Sequence, residues 1–253
     1  MIDVPLTNLP RAERTAEPFR MPPLVQASAS LSPIEKSLLG HFLLLTQPRI
    51  VVEVGVYRAV TTRFLIDTLS LNSISARVVG FDLPEVVAQL RDEHPDVARW
   101  EQEGRLELVA GELPESLRDW VNRAQPCVDL ALVDARHDFP SVIWELRLLW
   151  RCLAPHGVIL GHDYAPEFDG VRYAFDYFAR KNGAMILPLV GQSEAIETRS
   201  TLIAMRPSIY EKTFRGWLHH RWQGMKADLV RSPWTCGLWG RVFRPLLRGG
   251  KQS

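Results

Sequence analysis

Four side chains at two places in the sequence have the types and spacing to do chemistry. Asp134 and His137 lie three residues apart in VDARH, and His162 and Asp163 are adjacent in GHDY. Two carboxylates and two imidazoles within a short reach offer either of two chemistries. The aspartates can hold a divalent cation that lowers the pKa of a bound hydroxyl while a histidine takes the proton. Alternatively, a histidine acts as a metal-free base near neutral pH, oriented by the aspartates. A third reading gives His162 and Asp163 nothing beyond satisfying backbone groups after a strand.

A second constellation centres on Ile50 to Thr62, IVVEVGVYRAVTT, where an apolar run reaches Glu53 and Gly55 and then a polar turn. Asp82 follows Glu53 by about 30 residues, at the end of RVVGFD. A carboxylate there accepts hydrogen bonds from both hydroxyls of a ribose, or it caps the helix that Pro84 opens. The glycine turn before it favours the nucleoside. Pyrophosphate is disfavoured, because Gly55 is the only glycine of the turn and the dinucleotide pattern G-x-G-x-x-G is absent. An acidic Glu53 repels phosphate but tolerates a ligand carrying an amino group and a sulfonium.

The elements that must position these residues alternate. Strands are predicted at 50–54, 77–82, 105–110, 128–133 and 157–161, with helices near 60–70, 84–95, 113–123, 140–153 and 170–181. Nearly all-apolar strands separated by helices form a parallel sheet covered on both faces, and right-handed crossovers bring their C-terminal ends to one edge. Glu53, Gly55, Asp82, Gly111, Glu112, Asp134, His162 and Asp163 all fall at that edge. Met185–Val190 and Thr201–Met205 read as two further strands that add an antiparallel pairing. In the helix at 140–153, Ile143, Leu146, Trp150 and Leu153 share one face, and Glu145, Arg147 and Arg151 turn away. Glu145 also stands close enough to the Asp134 loop to contact the site. Ser32-Pro33-Ile34-Glu35 starts an earlier helix with a capping box, and Pro48 ends it.

The chain has 253 residues, 46% hydrophobic and 23% charged, which suits one α/β domain with appendages. The expected organisation is a Pro-rich arm at 1–30, a domain at 31–206 and an extension at 207–253. A formal net charge of +1 gives no global reason to expect nucleic acid. Cys127, Cys152 and Cys236 match no zinc or disulfide spacing, and Cys127 and Cys152 read as core residues. Without a secretory leader or an apolar run of roughly 18 residues, the expectation is a soluble cytoplasmic protein. In the extension, Trp217, Trp222, Trp234 and Trp239 alternate with nine lysines and arginines. That composition packs on the domain or a second subunit in a homo-oligomer, lies on an anionic membrane or glycan lipid, or grips an anionic glycan or nucleic acid.

The motifs Glu53–Thr62, Phe81-Asp82, Val133–His137 and Gly157–Tyr164, in this order, resemble the class I S-adenosylmethionine-dependent methyltransferases, in the branch of small-molecule and sugar O-methyltransferases. The resemblance spans roughly residues 50 to 180. It implies a Rossmann-like sheet of seven strands, the last antiparallel, and S-adenosylmethionine as cofactor. It implies that Glu53, Gly55 and Thr62 line the methionine end, that Asp82 holds the ribose, and that Gly111 and Glu112 lie near the adenine. It implies further that His137 and His162 are the catalytic candidates and that Asp134 and Asp163 can bind Mg2+ or another divalent cation. Ala59 stands where the family usually has glycine; at positive φ an alanine costs about 1 kcal/mol and brings a methyl group toward the cofactor. Ala135 and Arg136 also depart from the pattern. The expected function is O-methylation of a small-molecule or saccharide hydroxyl, with a catalytically silent binding protein of the same fold as the alternative.

Overall fold

A computed structural model describes residues 20–23, 31–189 and 203–207. Most of the Pro-rich arm, the connector before the last strand, Cys236 and the whole of 208–253 lie outside the described residues. Residues 20–23 pack onto the domain: Asn72 accepts from the Arg20 N–H and donates to its carbonyl, and Pro22 is buried.

The elements run α1 (Pro33–Thr46), β1 (Ile50–Val54), α2 (Val60–Leu71), β2 (Arg77–Asp82), α3 (Pro84–Glu93), α4 (Pro95–Gln102), β3 (Leu106–Ala110), α5 (Glu115–Ala124), β4 (Val128–Val133), α6 (Phe139–Cys152), β5 (Leu153–Gly161), α7 (Asp169–Asn182), β6 (Ala184–Pro188) and β7 (Ile203–Pro207). The sheet has seven strands in the order β3-β2-β1-β4-β5-β7-β6. β1 to β5 pair in parallel, and β7 lies antiparallel between β5 and β6. The last strand in sequence is therefore the antiparallel one, as expected.

Strand order reverses between β1 and β4, and at such a switch point the loops leave in opposite directions and open a crevice at the C-terminal edge. Two cores fill the two faces. Val52, Val54, Phe81 and Val133 pack with Leu117, Trp120, Leu146 and Phe175 on one side. Val51, Val78, Leu130 and Leu160 pack with Leu39, Leu43, Leu65 and Val87 on the other. Both faces of each central strand are thus covered, which is why these strands are apolar almost throughout rather than alternating.

Several expectations are corrected. The helix expected at 84–95 ends at Glu93, and Pro95 starts the separate α4, since a residue before proline disfavours helical backbone. β5 begins at Leu153 rather than at 157. Cys127 is exposed, while Cys152 is buried with its thiol directed at the Leu148 and Leu149 carbonyls. Glu145 is fully buried instead of turned to solvent. No described helix is long and apolar enough to cross a membrane.

Candidate active site

Backbone bonds carry the ladder one residue past each central strand and so pin the site loops. Gly55 N–H donates to the Phe81 carbonyl, Asp134 N–H to Val54 and His162 N–H to Val133, at 2.9 to 3.1 Å. Gly55 is required where it stands, because φ is +95° and an added Cβ would lie 2.3 Å from the Asp134 carbonyl oxygen. The β1 and β4 loops are thereby held against each other. Between them opens a cavity of about 760 Å3, within the usual range for small-ligand sites, lined by Gly55, Tyr57, Asp82, Glu112 and Asp134 and by His137, His162 and Asp163.

At one end Asp82 holds the turn after β1. Its Oδ2 accepts from the Val56 and Tyr57 N–H groups at 2.9 and 2.7 Å, and its Oδ1 from Leu83 at 2.7 Å. The residue does not cap α3, whose N-cap is Leu83. Ala59 adopts φ 54°, the left-handed conformation the glycine pattern anticipates, yet it is buried and absent from the cavity lining. Its methyl group packs into the core instead of crowding a ligand.

Glu53, Thr62 and Gly111 do not line the cavity. Glu53 lies beneath the turn, 1% exposed, and accepts from the Thr62 hydroxyl at 2.6 Å. Burial raises its pKa to about 8, only partly opposed by the Thr62 bond, so the side chain is a neutral acid at pH 7.

At the other end the four chemical residues converge, as the pairing of β4 with β5 requires. His162 Nδ1 lies 2.9 Å from Asp134 Oδ1 and 3.4 Å from Asp163 Oδ2. Its Nε2 lies 3.6 Å from Glu35 Oε1, a fully buried carboxylate contributed by α1. Burial alone would lower the His162 pKa, but the three carboxylates push it up to about 12. The carboxylates that would orient His162 as a base also favour its protonated form. His137 is different: nearly half exposed, it donates from Nε2 to Asp163 Oδ2 at 2.9 Å, and its ring packs on Phe168 at 4.7 Å. The Asp163 bond raises the His137 pKa despite partial burial, and the two histidines hold Asp163 well below the ordinary carboxylate range although burial opposes them.

Asp134, His162 and Asp163 offer ligand atoms all within 4.8 Å of one another. Two carboxylates and an imidazole are a donor set that would suit a divalent cation. As they stand, His162 Nδ1 and Asp134 Oδ1 make a hydrogen bond at 2.9 Å.

Sequence reasoning saw Glu35 only as a cap. Its second role is set by the packing of α1 beside the site, and no local pattern announces that.

Residues 52–164 match the family model described as a methyltransferase domain. The chain has the Rossmann-like fold of the methyltransferases. Among solved structures, the domain is similar to an O-methyltransferase of Bacillus cereus in complex with S-adenosylhomocysteine (20% identity, TM-score 0.55, covering 71% of this chain and 82% of that one). It is also similar to the O-methyltransferase TomG of Streptomyces achromogenes, involved in tomaymycin synthesis and bound to S-adenosylmethionine (17%, 0.54, 71% and 82%). A third is a methyltransferase of Podospora anserina bound to S-adenosylhomocysteine (16%, 0.53, 71% and 80%). At these identities the likeness establishes the fold. No curated protein matches the chain by sequence.

Proposed function

We propose that this methyltransferase uses S-adenosylmethionine to methylate a hydroxyl of a small molecule or saccharide, with a divalent cation at Asp134, His162 and Asp163. The observation that carries the reading is the single cavity running from the Asp82 carboxylate to the His137–Asp163 pair. A nucleoside end and a proton-accepting end share one cleft, and methyl transfer to oxygen needs both.

S-adenosylmethionine supplies the electrophilic methyl group when bound. Asp82 would accept hydrogen bonds from the ribose hydroxyls, and Glu112 and Leu113 line the same cavity. A cation at Asp134, His162 and Asp163 supplies the Lewis acidity that makes an acceptor hydroxyl easier to ionise. His137 takes the acceptor's proton: Asp163 fixes one ring nitrogen as the donor, which leaves the other nitrogen as the acceptor once the ring is neutral. Phe168 holds the ring in that orientation.

The test is transfer of labelled methyl from S-adenosylmethionine to a panel of catechols, phenols and hexose derivatives, before and after chelation. Transfer that stops on chelation and returns with Mg2+ or Mn2+ supports the reading. Transfer indifferent to the chelator leaves the methyltransferase and removes the metal.

A further inference from the structure

α1 lies outside the stretch that matches the methyltransferase domain, yet it delivers a carboxylate to the site. Ser32 opens the helix with a capping box: Glu35 N–H bonds to the Ser32 hydroxyl, and Ser32 N–H donates to Glu35 Oε2 at 2.8 Å. One carboxylate oxygen is thus committed to the cap. The other, Oε1, faces His162 Nε2 at 3.6 Å, a charge contact beyond hydrogen-bond distance. A glutamate that served only as a cap would keep its charge in solvent, whereas Glu35 is 0% exposed.

The two nitrogens of His162 therefore face different groups. Nε2 faces Glu35, and Nδ1 faces Asp134 and Asp163. With a cation between Nδ1 and the two aspartates, the carboxylate opposite Nε2 would favour the remaining hydrogen on that nitrogen, the arrangement by which an outer carboxylate orients a metal-binding histidine. We propose that Glu35 is a positioning residue: it keeps the hydrogen of His162 on Nε2 and turns Nδ1 toward the two aspartates as the third ligand of a divalent cation. This rests on the metal-assisted reading above. A cation bound there would displace the hydrogen on Nδ1 to solvent and leave the one on Nε2, facing Glu35.

Glu35→Gln separates the two roles of the residue. Glutamine in this place preserves a capping box, because its Oε1 takes the Ser32 N–H. Its amide nitrogen is then the group facing His162 Nε2, and a donor opposite a donor forces the hydrogen onto Nδ1, where it blocks the ligand position. Mn2+ titration of the full-length protein, followed by the electron paramagnetic resonance of free Mn2+, should show affinity falling about 10- to 100-fold in Glu35→Gln. Ser32→Ala breaks the cap and leaves Glu35 opposite His162; it should lower the thermal midpoint and bind Mn2+ like wild type. Equal Mn2+ affinity of wild type and Glu35→Gln overturns this inference alone. Weakening by Ser32→Ala overturns it too, and remains measurable if Glu35→Gln fails to fold. A wild-type protein that binds no Mn2+ overturns the metal-assisted reading together with the inference.

Discussion

Glu53→Gln should reshape the pH dependence of stability. The Glu53 carboxyl is 1% exposed in β1, and burial raises its pKa from 4.5 to about 8. Between those values the unfolded chain has released the proton and the folded chain retains it. The folded state then binds more protons, so this group's contribution is complete below pH 4.5 and is lost as pH rises to about 8. The size of the change has a ceiling of about 5 kcal/mol, since each tenfold step in the dissociation constant is about 1.4 kcal/mol. Relaxation around a newly ionised carboxylate brings the expected loss down to about 2–4 kcal/mol. Glutamine keeps the bond from Thr62 and cannot ionise, but it buries an amide donor pair at a cost of about 1–3 kcal/mol. The variant is therefore less stable than wild type at pH 5 and more stable at pH 9. Urea denaturation at pH 5, 7 and 9 measures the crossing directly. A variant whose stability falls with pH as steeply as wild type would refute the reasoning.

Three further outcomes follow from the geometry. His137→Ala should lower kcat by about 10^2- to 10^4-fold with S-adenosylmethionine affinity unchanged by calorimetry, if the residue acts as the proposed base. An added Cβ at Gly170 would lie 2.2 Å from the His137 carbonyl oxygen, so Gly170→Ala should displace the His137 loop; steady-state kinetics should show kcat falling while cofactor affinity holds. Glu145 is fully buried, neither carboxylate oxygen has a hydrogen-bond partner among the described residues, and burial raises its pKa to about 8. Glu145→Leu should stabilise the protein by about 1–3 kcal/mol at pH 7 by urea denaturation, and by more at pH 9; a destabilised variant would contradict this.

Much of this architecture is legible in the chain because hydrophobic periodicity and strand ends are local. β1, β2 and β4 have the expected bounds, and the chemical residues fall at strand ends because parallel crossovers leave no other edge for them. What is illegible is non-local. β7 inserts between β5 and β6, a choice of partner that no strand pattern encodes. Glu145 occupies a face that helical spacing assigns to solvent, yet its neighbours on the helix, Val142, Leu148 and Leu149, are buried with it. His162 is surrounded by Asp134 and Asp163 at strand ends the sequence shows, and by Glu35, 127 residues earlier in the chain, which it does not. Glu53 and Thr62 sit where the motif places them, but they bond to each other below the turn rather than line the cavity.

Calorimetric titration of the full-length protein with S-adenosylmethionine, with and without Mn2+, tests the central claim most directly. The account predicts saturable binding at one site per chain, in the cleft that Asp82 borders. Absence of saturable binding in both conditions would contradict it.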